Sequence, residues 1–146
     1  MTLVIGVGND YRRDDAIGLV VARALRKKNL RNVEILELSG EGTALIEAWQ
    51  DAENVIVIDA VQSGATPGTI FRFEAHRQEI PTRFFRYSTH NFGLAEAIEL
   101  ARTLGKLPQS LIVYGIEGKN FAAGEGLSTE VACAVSQVLD RIIHEI

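Results

Sequence analysis

The chain carries a single cysteine among its 146 residues, so no internal disulfide can staple it. A domain of this length buries enough core to do without one. No uninterrupted apolar run approaches the roughly 18 residues of a membrane-spanning helix. The opening Met1-Thr2-Leu3-Val4-Ile5 lacks the basic region and cleavage site of a secretory signal and runs straight into a glycine turn. Basic residues are outnumbered, 15 against 19 acidic, for a net charge of -4; a nucleic-acid surface would normally show a basic stripe. Repeats, linkers and low-complexity segments are missing too. What is present is an ordinary globular balance, 47% apolar and 23% charged. One cytoplasmic domain spanning residues 1–146 is the expectation.

Apolar periodicity then supplies the order of elements. Leu3 to Val7 reads as a buried strand that exits through Gly6-Val7-Gly8-Asn9. From Asp14 to Lys28 a helical stripe runs through Ile17, Val20, Val21, Ala24 and Leu25, acidic at its start and basic at its end. Val33 to Leu38 alternates as a half-protected strand, and Gly42 to Trp49 forms a short helix. Val55 to Ile58 is apolar throughout, the mark of a central parallel strand, and stops at Asp59. A turn-rich link leads to Thr69–Phe73, too short a connection for a crossover, so this strand is an antiparallel edge. A third helix uses Leu94, Ala97, Ile98 and Ala101; Leu111 to Tyr114 is the last strand. Ser128 can cap a final helix through Val131, Val138 and Ile142, on whose apolar face Cys133 is expected as a small core residue. The pattern β-α-β-α-β-β-α-β-α predicts a three-layer α/β/α domain with a mostly parallel sheet of about five strands and one antiparallel edge.

Such sheets bind ligands beyond the carboxyl ends of their strands. Asp15 follows the first strand, Asp59 leaves the third, and His90 precedes the third helix, so all three fall at that end if the crossovers are right-handed. Two carboxylates and an imidazole form a donor set for nickel, zinc or manganese. The blander reading makes an acid in a first helical turn a dipole-compensating surface group, a role that suits Asp14 better than Asp15. Asp59 resists it, because a carboxylate after four apolar residues is costly to bury without a partner.

Other features are weaker. Gly6-Val7-Gly8 would need glycine at position 11 for a dinucleotide fingerprint, and Tyr11 stands there. The connection from Ala75 to Thr89 has the length of a lid, or its aromatics cover an edge of the core; within it, Ser88 and Thr89 are candidate caps. His76 and His144 read as solvated.

Read together, Gly6-Val7-Gly8-Asn9, Asp14-Asp15-Ala16-Ile17-Gly18, Val57-Ile58-Asp59-Ala60-Val61, Pro67-Gly68-Thr69, Ser88-Thr89-His90 and Tyr114-Gly115-Ile116-Glu117-Gly118 resemble the hydrogenase maturation proteases, in the same order over nearly the whole chain. The resemblance implies an aspartic-type endopeptidase that trims a C-terminal extension from the large-subunit precursor of nickel-iron hydrogenase after nickel insertion. It places the nickel-contacting and catalytic roles on Asp15, Asp59 and His90, with the nickel brought by the client and no organic cofactor. Asn9, Glu41, Gly42 and Thr43 become candidate substrate-binding residues. Two departures stand out: the family commonly has Glu where this chain has Asp15, and its Asp-Gly-Gly-Thr is here Gly40-Glu41-Gly42-Thr43, with Glu41 the candidate substitute. A monomer without membrane or nucleic-acid partners is expected.

Two other readings use the same residues. A phosphoacceptor signalling domain also places acids after strands one and three, but has no use for His90. A metallopeptidase or amidohydrolase with its own zinc would need three ligands and an open position, which this set supplies.

Overall fold

A computed structural model describes residues 1–85 and 90–146. Its five strands are β1 (Thr2–Val7), β2 (Val33–Leu38), β3 (Asn54–Val61), β4 (Ile70–Glu74) and β5 (Ser110–Glu117). They lie in the order β2-β1-β3-β5-β4. All neighbours are parallel except β4, which runs antiparallel to β5 with Phe71 opposite Gly115. The antiparallel edge follows from the short 62–69 link, as expected.

Helices α1 (Ile17–Arg26) and α4 (Thr129–Glu145) cover one face; α2 (Gly42–Trp49) and α3 (Leu94–Thr103) cover the other. Strand alternation divides the core accordingly. Val4, Ile56, Ile58 and Ile112 pack against α1 and α4, while Ile5, Val57, Leu111 and Val113 pack against α2 and α3. Gly18 lets α1 sit directly on the sheet: a methyl group there would come within 2.3 Å of the carbonyl oxygens of Val7 and Ile58. No helix among the described residues is long and apolar enough to cross a membrane.

Several local expectations need correction. The first helical stripe is broken, because residues Arg13–Ala16 form a 3₁₀ turn before α1 begins. Strand β3 does not stop at Asp59; it continues to Val61, since Ala60 and Val61 find partners in Ile116 and Glu117 of β5. Cys133 is exposed. The buried stripe of α4 is Val131, Ala134, Val138, Leu139 and Ile142, and position 133 lies two residues, about 200°, round the helix from Val131. His76 is half-buried, its Nδ1 3.0 Å from the Leu111 amide nitrogen that donates to it. The aromatics Phe84 and Phe85 of the β4–α3 connection enter the core beside Phe71 and Phe73. The candidate caps Ser88 and Thr89 lie outside the described residues.

Asp14 departs furthest from expectation. It is fully buried, and its carboxylate accepts from the amides of Lys119 (2.8 Å), Asn120 (2.9 Å) and Ser128 (2.7 Å) and from the Ser128 hydroxyl (2.9 Å). The serine expected to cap α4 thus turns its hydroxyl to Asp14 instead. On the neighbouring strand end, buried Glu117 accepts from the amide and hydroxyl of Ser63 and so fixes the turn after β3. Each acid satisfies loop donors that would otherwise be buried without partners.

Candidate active site

The sheet order reverses direction between β1 and β3: the chain leaves β1 for β2 on one side and returns to β3 on the other. The connections on the two sides diverge at such a point and leave a crevice beyond the strand ends. Here the crevice is a cavity of about 30 Å³, room for one water or one cation rather than a side chain.

Asp15, Asp59 and His90 all line it, together with Val7, Ser39 and Glu96. Three distant segments supply them. The 3₁₀ turn after β1 presents Asp15, whose amide donates to Arg12 O at 3.0 Å. Asp59 projects from β3 toward the α2/α3 face, since Val57 and Val61 on either side of it pack in that half of the core. Its Oδ1 accepts from the following amide, Ala60, at 2.8 Å. His90 precedes α3, with its ring beside Gly40 at the end of β2.

Proximity shows in the electrostatics. Burial, and then the negative charge of Asp15, push the Asp59 carboxyl well above the ordinary carboxylate range, against a smaller opposing pull from the Ala60 amide. Asp15 is also raised, by burial, although the Arg12 guanidinium, the Asn9 amide and His90 favour its charged form. Like charges forced together in a partly buried crevice share a preference for holding a proton or gaining a cation. Among the described residues, no three His, Cys, Asp or Glu side chains are gathered tightly enough to cage an ion by themselves.

The remaining candidates occupy the same rim in other roles. The side-chain oxygen of Asn9 accepts from Tyr11 N at 2.9 Å and shapes the loop that leads to Asp15. Glu41 is the N-cap of α2, its two oxygens accepting from Thr43 N (3.0 Å) and Ala44 N (2.9 Å). Those bonds, with the Thr43 side chain and the neighbouring His90 adding smaller contributions, lower the Glu41 carboxyl below its ordinary value. Thr43 is exposed in the first turn of α2, whereas Gly42 is buried beneath the Phe92 ring.

Sequence reasoning passed over Arg12 and Glu96. Arg12 lies three residues before Asp15, and glutamate three residues after Gly93 is the spacing of a carboxylate that reaches back to a helix start.

Known proteins resemble this chain in sequence and in fold. The profile of the HycI hydrogenase maturation proteases matches residues 19–145. This chain belongs to the hydrogenase maturation protease family. The Hydrogenase 2 maturation protease of Escherichia coli is 29% identical over 145 residues, covering 97% of this chain and 87% of that one. A Methanocaldococcus jannaschii protein provisionally named a hydrogenase maturation protease is 32% identical, covering 99% and 95%. The solved structure of the E. coli hydrogenase maturating endopeptidase HybD superimposes with a TM-score of 0.83 at 26% identity, over 99% of this chain and 90% of the other. The mixed five-stranded sheet is therefore the family's architecture, and the maturation protease is a peptidase like those relatives. That membership displaces the phosphoacceptor reading.

Proposed function

We propose that this maturation protease removes the C-terminal extension of a nickel-iron hydrogenase large-subunit precursor, and that the client's nickel is what it recognises. The observation that carries the reading is the meeting of Asp15, Asp59 and His90 around one ion-sized cavity at the strand-order reversal. The relatives' names support the hydrogenase client.

A nickel ion already held by the precursor's thiolates has coordination positions to fill, and carboxylate oxygen and imidazole nitrogen suit it. The positive charge relieves the repulsion between Asp15 and Asp59, so docking is favoured only when the metal is present. The cavity is too small for a peptide, so the scissile segment lies across its mouth. There, a carboxylate oxygen not committed to the cation takes a proton from the water that attacks the scissile carbonyl and returns it to the departing amine as the peptide C–N bond breaks. A precursor without nickel lacks the anchor and is spared.

The test is to incubate the protease with nickel-loaded and nickel-free large-subunit precursors and weigh the products by intact mass spectrometry. The loaded precursor should lose its C-terminal tail and the unloaded one keep it. His90→Ala should leave both intact while retaining the parent's circular dichroism. Cleavage of the nickel-free precursor at the parent rate would refute the recognition step.

A further inference from the structure

We infer that Gly42 and Glu96 are positioning residues for His90, acting as a two-point latch on the segment that follows it. The inference rests on the role given to His90 above. The connection carrying His90 runs from the end of β4 to the start of α3, and a segment of that length costs conformational entropy to fix unless it is tied down. Among the described residues, two ties hold the part that follows His90, one to each helix of the α2/α3 layer.

The first tie is at α2. Glu41 spends its carboxylate on the amides of Thr43 and Ala44, while the amide of Gly42 points across to the other loop and donates to Phe92 O at 2.8 Å. The Phe92 ring closes over the same residue. A methyl group on Gly42 would come within 2.4 Å of Phe92 Cδ2 and 2.9 Å of its carbonyl oxygen. No side chain fits there without moving Phe92, two residues beyond His90.

The second tie is at α3. Glu96 Oε1 accepts from the amide of Gly93 at 2.9 Å, fixing the residue at which the helix begins. Glu96 also lines the cavity. Residues 92 and 93 are thus held from opposite sides, and the imidazole just before them inherits that placement. Displacing a reacting or anchoring group by about 1 Å costs up to about a hundredfold in rate.

The chain has three histidines, so the imidazole cross-peaks in a ¹H–¹³C correlation spectrum report on His90 directly, with no client needed. Gly42→Ala should move the His90 peak, leave those of His76 and His144 in place, and lower kcat/KM on nickel-loaded precursor by about ten- to a hundredfold. Glu96→Ala should do the same more weakly. Glu96→Gln, which still offers an oxygen to Gly93, should restore both readouts. If Gly42→Ala fails to fold by thermal scanning, the Glu96 pair decides. An unmoved His90 peak in Glu96→Ala, or a Glu96→Gln variant as impaired as Glu96→Ala, would overturn the latch. Movement of the peak in a protease whose parent form cuts no precursor would sink the functional reading and leave the latch standing.

Discussion

Asp59→Asn should abolish processing, by about a thousandfold or more, while making the protein more stable at neutral pH. Asparagine keeps the oxygen that accepts from the Ala60 amide but has no charge to offer a cation or a proton. The stability gain follows from burial, and from the Asp15 charge beside it, which raise the native carboxyl well above its ordinary value of 3.8. The folded state then binds a proton that the unfolded chain has already released, so stability falls as pH rises from the unfolded value to the folded one. Each unit of elevation weakens the native state by about 1.4 kcal/mol once both forms are ionised. The variant is free of that slope. Thermal scans from pH 4 upward should therefore show its advantage over the parent growing with pH and then levelling. An advantage that shrinks toward neutral pH, or a variant that still processes precursor, would contradict this account of Asp59.

The opposite behaviour is expected one residue before the other acid. Asp14→Asn should cost roughly 2–4 kcal/mol, lowering the melting temperature by about 10 °C in a domain of this size. The parent carboxylate is surrounded by four donors, and an amide would turn its own N–H groups toward some of them. Burial alone would raise this carboxyl, but the amides of Ser128, Asn120 and Lys119, with the Ser128 hydroxyl, outweigh it and hold the group below its ordinary 3.8. Its contribution is accordingly present above the unfolded pKa and lost as pH falls through the native one, so parent and variant should converge in acid. A difference under about 2 °C at pH 7 would show that the Asp14 bonds do not secure the 119–128 loop.

Adjacent aspartates with opposite fates mark where sequence reading reaches its limit. Apolar periodicity was enough to place five strands and four helices, because each buried face repeats on a period of two or 3.6 residues. The shortness of the link after the third strand marked the antiparallel edge, and right-handed crossovers put Asp15, Asp59 and His90 at one end of the sheet. Asp14 could not be told from a surface acid, because its partners are the amides of residues more than 100 positions later in the chain. Cys133 looked apolar by company, yet the turn of the helix carries it off the buried stripe. Glu41 and Gly42 were visible as a motif at the start of a helix. That the carboxylate caps α2 while the glycine receives Phe92 depends on how two loops pack, which spacing does not encode. The length of β3 beyond Asp59 was likewise set by its partner β5, not by its own hydropathy.

On the proposed reading, two acids and an imidazole of the protease enter the coordination sphere of a metal ion carried by another protein. X-ray absorption at the nickel edge tests it most directly, on loaded precursor alone, on precursor mixed with the protease and frozen within the first turnover, and on the same mixture made with His90→Ala. The prediction is a gain of oxygen and nitrogen scatterers in the first shell on mixing, with the histidine signature missing in the variant. A nickel spectrum unchanged by a protease that goes on to remove the tail at its full rate would contradict the claim.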